Sequence, residues 1–273
     1  VDGVSSNITA LTNSQGNFSI TSAELSDNSY SFTVTAADSN GNISIASNEL
    51  IIEIDTISPS QPIITTTTSS TNNNTPTIEG TAEVGSVITL FVNNNNSNIT
   101  AVTNNEGNFS ITSSELTDDT YSLTVTSTDA AGNISNTSNA LSLTIDTTPP
   151  SKPVITTTTN VTSNNSLVIE GSGDAGTLIT LLINGFSSNL TATVNSNDIF
   201  AITLTELSDD TYSLTVNSSD SLGNTSAESD ALVLKIYTTP NSIPFHSFNL
   251  TNEVSTYNGS LVGYWFIAPT DLT

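Results

Sequence analysis

The sequence predicts an all-β chain built of tandem seven-stranded sandwiches, and three observations carry that expectation. Apolar residues alternate with polar ones: in Tyr121-Ser-Leu123-Thr-Val125-Thr every second side chain falls on one face, the period of a half-buried strand. The β-branched residues Thr and Val fill these runs, and almost nothing in the chain favours a helix. Landmarks also recur every 91 residues with no insertion or deletion, which marks tandem copies of one module.

The landmarks are unambiguous. Tyr30, Tyr121 and Tyr212 share the 91-residue spacing, as do Phe18, Phe109 and Phe200, and Glu79-Gly80 returns as Glu170-Gly171. Asp38, Asp129 and Asp220 each open a segment ending in Gly-Asn, at Gly41-Asn42, Gly132-Asn133 and Gly223-Asn224. The linker Asp55-Thr-Ile-Ser-Pro59 returns as Asp146-Thr-Thr-Pro149-Pro150 and then as Tyr237-Thr-Thr-Pro240. These marks divide the chain into a partial module over 1–59, full modules over 60–150 and 151–241, and a tail over 242–273.

Within 60–150 the strands are expected in order. Ile63–Thr68 leads from the linker into a Thr run, repeated at Thr156–Thr159. Pro76–Gly80 carries the Glu-Gly landmark, and Val87–Asn93 points Ile88 and Leu90 inward. Ile99–Asn104 and Asn108–Thr112 follow, the latter with Ile111 inward. Tyr121–Thr128 is the strongest alternation, and Leu141–Asp146 runs into the next linker. Asn, Gly, Asp and Ser clusters between them supply turns. Seven short strands at this size match an immunoglobulin-like sandwich, with Leu116, Tyr121, Leu123, Val125 and Leu143 completing the core. Leu116-Thr-Asp118-Asp119-Thr-Tyr121 suggests a corner at which the Tyr hydroxyl bonds nearby backbone, with copies at Leu25…Tyr30 and Leu207…Tyr212.

Composition narrows the function. The chain has 273 residues and a formal net charge of -24, from 2 Lys+Arg against 26 Asp+Glu. Such a surface repels phosphate, so nucleic-acid and anionic-membrane binding are not expected. Without Cys there is no disulfide, no thiolate metal site and no thiol nucleophile. The longest apolar run, Leu261–Ala268, is too short to cross a bilayer as a helix. The single His246 has no Cys and no Ser/Asp partner at a meaningful spacing, and the acids repeat from module to module as structural residues do. A non-enzymatic protein is expected.

The segment Asp118-Asp119-Thr-Tyr121 through Asp129-Ala-Ala-Gly132-Asn133, followed by Asp146-Thr-Thr-Pro149-Pro150, resembles the bacterial Ig-like repeats of large surface adhesins and biofilm proteins. The resemblance covers about 1–241. It implies secretion to an extracellular, cell-surface location and a spacing or adhesive role. The leading expectation is a stalk or fibre of rigid modules; the runner-up is an adhesive module that binds a surface glycan or protein through its loops. Loops such as Asn93–Asn98 and Asn184–Asn189 differ mildly between copies, which favours the stalk.

The two ends leave alternatives open. Val1 matches Val92 and Ile183, so in register the first module begins near the end of its third strand. The tail occupies the register of a further module's first three strands. In one reading the chain is a window on a longer stalk whose partners are further modules. In another, the tail completes the open first module of another copy by strand donation, giving head-to-tail fibres. The residues for such assembly are Ile243, Phe245, Phe248, Leu261, Tyr264, Trp265 and Phe266. Tyr264-Trp265-Phe266 equally suits the start of a different domain.

Calcium is the one cofactor expected. Asp38-Ser-Asn40-Gly41-Asn42 has alternating oxygen donors of the kind Ca²⁺ takes, without the distal Glu of an EF-hand. The family resemblance places Ca²⁺ near module junctions, at positions matching Asp38, Asp129 and Asp220 with Asp55 and Asp146, helped by Glu79 and Glu170. The competing role for these Asp residues is to cap turn backbone. Asn-x-Ser/Thr triplets at Asn7, Asn42, Asn98, Asn133, Asn189 and Asn224 recur in matching places and would be exposed glycan acceptors in a glycosylating host.

Overall fold

The computed structural model describes residues 1–238. The assembly residues Ile243, Phe245, Phe248, Leu261, Tyr264, Trp265 and Phe266, and His246, lie outside the described residues. The described chain is all-β. The first repeat holds β1 (Asn28–Phe32) and β2 (Leu50–Ile54). The second holds β3 (Ile63–Ile64), β4 (Ser70–Thr71), β5 (Thr77–Thr81), β6 (Val87–Val92), β7 (Asn95–Val102), β8 (Asn108–Thr112), β9 (Asp119–Thr128) and β10 (Leu141–Ile145). The third repeats these as β11 (Val154–Ile155), β12 (Val161–Thr162), β13 (Val168–Ser172), β14 (Leu178–Ile183), β15 (Phe186–Thr193), β16 (Ile199–Thr203), β17 (Asp210–Ser219) and β18 (Leu232–Ile236).

Each complete repeat is a two-sheet Ig-like sandwich. In the second, a five-stranded sheet in the order β4-β10-β9-β6-β7 faces a three-stranded sheet β3-β5-β8. The third has β12-β18-β17-β14-β15 facing β11-β13-β16. The core is what alternation predicts: Ile88, Leu90, Ile111, Leu116, Leu123, Val125 and Leu143 are buried, with Tyr121 packed against them half-buried. The turn between β6 and β7 needs positive φ at both central residues, which Asn93 (φ 50°) and Asn94 (φ 64°) supply. Asn184 and Gly185 do the same in the third repeat, and Asp2 and Gly3 (φ 50° and 77°) in the first.

The first expected strand, Ile63–Thr68, is corrected: only Ile63–Ile64 is strand, as β3, and the chain pairs again beyond Thr68, at Ser70–Thr71, as β4 of the opposite sheet. The Thr run is the crossover. Thr65 and Thr66 both donate backbone N–H to the Glu79 carbonyl, and the Thr66 hydroxyl accepts the Glu79 N–H at 2.7 Å. A side chain thus replaces the strand's own carbonyl where the backbone turns away. Thr157 treats Glu170 identically, so Thr156–Thr159 is likewise no strand.

The Glu-Gly landmark has a packing cause. A β-carbon on Gly80 would collide with the Ile63 carbonyl and the Phe109 ring, and one on Gly171 with the Val154 carbonyl and Phe200. Glycine lets the ring lie on the backbone of the paired strand, since β5 and β8 put Gly80 opposite Phe109.

Candidate functional site

The polar residues singled out by the 91-residue register gather at the junctions between repeats. Asp129 closes its own loop: Oδ1 accepts the backbone N–H groups of Gly132 and Asn133 at 2.7 and 2.8 Å, and Oδ2 accepts Asn133 Nδ2 at 2.9 Å. Asp38 binds Asn40 and Asn42 in the same way, and Asp220 binds Leu222 and Asn224. These donors favour the ionised carboxylate. The Asn42 amide and backbone hold Asp38 below the usual carboxylate range, and the Asn133 amide does so for Asp129. At Asp220 desolvation pushes upward, but the Asn224 amide and N–H prevail and the pKa is again lowered.

The amide then reaches into the preceding repeat. Asn133 Nδ2 donates at 3.0 Å to the carbonyl of Asp55, just past β2, and Asn224 Nδ2 donates at 2.8 Å to the carbonyl of Asp146, just past β10. From behind, the linker is held by its own repeat. Asp118 Oδ1 accepts the Thr147 N–H and hydroxyl at 2.9 and 2.7 Å, and Oδ2 accepts the Thr148 hydroxyl at 2.5 Å. Both hydroxyls lower the Asp118 pKa, Thr148 most. Asp146-Thr147-Thr148 is therefore gripped by the repeat on either side. At the preceding junction Asp27 grips Thr56, but Ile57 stands where Thr148 does and offers no hydroxyl. Pro59, Pro62 and Pro153 are buried beside these linkers and fix their φ.

The tyrosine corner sits at the same end as Asp118. Tyr121 donates its hydroxyl hydrogen to the Thr117 carbonyl at 3.1 Å, and Tyr30 and Tyr212 do so to Ser26 and Ser208. Lys152 pairs with Asp230 at 2.8 Å across solvent-exposed surface, a pair that contributes little.

The expected calcium donors do not converge as a cage. Among the described residues no three acidic side chains come close enough to hold a metal ion. The oxygens of Asp38 and Asp129 face N–H groups, Asp55 and Asp146 accept from Ile57 and Thr148, and Asn40 contributes its backbone N–H. Glu79 and Glu170 stand exposed in the middle of β5 and β13. These hydrogen bonds are those of turn capping, the competing role for the same Asp residues.

Two sets of functional residues escape the sequence reading. Asn133 and Asn224 appear there as the ends of the Gly-Asn landmarks and as glycosylation triplets, with no junction role, yet their amide nitrogens are committed to the junction, so neither is a free acceptor; Asn7, Asn98 and Asn189 are exposed. Asp118 is named there without a junction role, and Asp27 and Asp209 lie unnamed in the copies of the tyrosine corner, although the three recur at 91-residue spacing, each 29 residues before a linker Thr.

A family model for the bacterial Ig-like domain matches residues 1–56, 64–147 and 154–238. The chain belongs to the bacterial Ig-like domain family. Solved structures with a similar fold include the fibronectin(III)-like modules of CbhA from Clostridium thermocellum, at 12% identity over 63% of this chain and 92% of that one, TM-score 0.44. The BSP domain of a biofilm-associated protein is 22% identical over 66% of this chain and 30% of its own, TM-score 0.27. The D0-D1 domain of intimin is 15% identical over 65% and 97%, TM-score 0.24. No curated protein matches.

Proposed function

We propose that the chain is a non-enzymatic spacer, a stiff segment of an extracellular cell-surface stalk. The observation that carries this is the linker gripped from both sides, Asp118 on Thr147 and Thr148 and Asn224 on the Asp146 carbonyl. Short, doubly bonded linkers with buried prolines restrict the angle between neighbouring sandwiches. A dense negative charge, 26 acids against 2 bases, also stiffens an elongated chain by self-repulsion and opposes collapse between neighbours.

Small-angle scattering on the whole chain tests it. The stalk reading expects a monomer with an elongated distance distribution, unchanged between chelator and millimolar calcium because backbone, amide and hydroxyl donors already engage both oxygens of Asp118, Asp129 and Asp220. Asn224→Ala should shorten and broaden that distribution. A flexible wild-type profile, or one that straightens only with calcium, overturns the latch. Polymers that vanish on deleting 242–273 would mark strand donation between copies instead.

A further inference from the structure

We propose that Asn40-Gly41 is a self-modifying site, at which the Gly41 backbone nitrogen attacks the Asn40 side-chain amide and water completes the conversion of Asn40 to aspartate or isoaspartate. This chemistry goes beyond the stalk reading and does not depend on it. Asn-Gly occurs at Asn40-Gly41 and Asn184-Gly185 among the described residues, and at Asn258-Gly259 outside them. Glycine suits the attack because it has no β-carbon to shield its nitrogen. The dipeptide alone does not decide the outcome, since a folded backbone can hold the reacting atoms apart. The structure separates the two described pairs.

Asn184 is locked. Its Oδ1 accepts the Ser213 N–H at 2.9 Å, and its own N–H donates to the Ser213 carbonyl at 2.8 Å. Its φ is held at 52° in the turn between β14 and β15, where Ile183 pairs with Phe186. The carboxamide is committed to β17, and bringing its carbon onto the Gly185 nitrogen requires the hairpin to open. Asn40 has none of these restraints. The whole loop Asp38–Asn42 is exposed, and the Asn40 carboxamide makes no hydrogen bond among the described residues. A β-carbon on Gly41 would meet nothing within 4 Å, so its nitrogen is approachable. The Gly41 N–H donates to the Asp38 carbonyl at 3.1 Å, and this turn bond must open for the attack. The loop lies between β1 and β2, outside the buried cores of the other repeats, so its opening disturbs little else. The matching loops carry Ala131 and Leu222 before their glycines and have no side-chain amide to react.

The atoms balance with water as the co-reactant. The Gly41 nitrogen gives its proton to hydroxide and bonds to Asn40 Cγ. The Cγ–Nδ2 bond breaks, and Nδ2 takes a proton from water and leaves as ammonia. The cyclic imide then adds one water. Opening at Cγ restores the ordinary backbone with aspartate at position 40. Opening at the main-chain carbonyl carbon routes the backbone through Cγ and leaves isoaspartate. Either product sets a second carboxylate beside Asp38. Isoaspartate also lengthens the segment that Asp38 closes, where Oδ1 accepts the Asn42 N–H and Oδ2 accepts Asn42 Nδ2, both at 2.8 Å. Asn42 is the register counterpart of Asn133 and Asn224, whose amides grip the linkers before them. The modification therefore loosens, in the first repeat alone, the loop that forms the latch in the other two.

Incubating the whole chain in isotopically labelled water at mildly alkaline pH tests this, with peptide mass spectrometry reading Asn40 and Asn184 in the same sample. In the native chain Asn40 should convert about tenfold or more faster than Asn184, because only Asn184 must first lose its hairpin. Ammonia should be released, labelled oxygen taken up, and both aspartate and isoaspartate formed. In denaturant the two rates should converge, since the fold is what distinguishes them. Asn40→Ala should abolish conversion in this loop. Ala131→Asn sets the same dipeptide in the second repeat, where the Gly132 N–H is held by Asp129 Oδ1 at 2.7 Å and Asn133 is tied to Asp55. Conversion there should run severalfold slower than at Asn40. Equal native rates at Asn40 and Asn184, or a ratio that denaturant leaves unchanged, would overturn the proposal. An Asn42 N–H that stays as protected from exchange after isoaspartate forms would overturn the loosening of the loop. A chain that scatters as flexible yet converts selectively at Asn40 loses the stalk reading and keeps this one.

Discussion

The first and second repeats share a register but not a core. Phe109 is 4% exposed and its counterpart Phe18 is 53% exposed. Ile111 and Leu143 are 2% exposed, against 41% for Ile20 and 39% for Ile52. Among the described residues, 1–59 supply no counterpart of Ile64, Ile78, Ile88 and Leu90, which face these positions in the second repeat. What remains is a two-stranded β1–β2 ribbon and a cleft of about 350 Å³ lined by Val4, Ile8, Ile20 and Leu25. Much of the polar pattern does not depend on that facing sheet: Tyr30 bonds the Ser26 carbonyl, Asp27 accepts from Thr56 and Asp38 accepts from the Asn42 N–H and amide, as Tyr121, Asp118 and Asp129 do with Thr117, Thr147 and Asn133. Local hydrogen-bond motifs are thus written within a few residues of sequence, whereas the apolar core exists only when both sheets are present.

The widest separation between the repeats should come from the buried ring. Phe109→Ala empties a fully packed site and should destabilise the second repeat by about 3–5 kcal/mol. Phe18→Ala, at a half-open site, should cost less than about 1 kcal/mol. Repeat-resolved hydrogen exchange in denaturant reads both. Equal costs would mean that the first repeat closes a core of its own in solution.

A smaller difference is expected at the tyrosine corner. Tyr121→Phe removes one hydroxyl bond to Thr117 at the sandwich edge and should cost about 0.5–1.5 kcal/mol. Tyr30→Phe removes the same bond from a ribbon that has little cooperative core to lose, and its effect should stay local to residues 26–32. An unfolding midpoint that moves equally for both would show that the corner acts without the second sheet.

Much of this was legible in the sequence, for reasons that the residues make plain. Strand alternation and the repeat exposed the core, because each buried position is set by a two-residue period and recurs 91 residues away. The tyrosine corner was legible because its donor and acceptor lie four residues apart. The split of Ile63–Thr68 was not, since it depends on Glu79 reaching Thr66 across thirteen residues. The Asn133 and Asn224 amides were harder still: their partners lie 78 residues back in another repeat, and an Asn-x-Ser/Thr triplet says nothing of which carbonyl it will meet. Gly80 and Phe109 were each seen to recur, but their contact needed the register of β5 on β8.

The smallest expected effect is on pH dependence, and it separates latch from charge. Asp129 and Asp220 have pKa values held below the ordinary carboxylate value, near 3.9 in an unfolded chain. A carboxylate depressed on folding stabilises the native state fully above its unfolded pKa, and that contribution drains away as pH falls through the lower folded value. Self-repulsion acts oppositely: the chain carries -24 at neutral pH and has a pI near 4.1, so acidification toward pH 4 relieves repulsion and stabilises. The wild-type profile should therefore rise gently from pH 7 toward 4 and fall below it. Asp129→Asn removes one depressed carboxylate and one negative charge. Its stability deficit relative to wild type should be constant from pH 7 to about 5 and shrink below about 4. The same substitution in the first repeat, Asp38→Asn, should show a smaller deficit, because among the described residues Asn42 bonds only Asp38, whereas Asn133 also grips the Asp55 carbonyl. A deficit that does not shrink on acidification would show that Asp129 acts through packing of its loop and not through its charge.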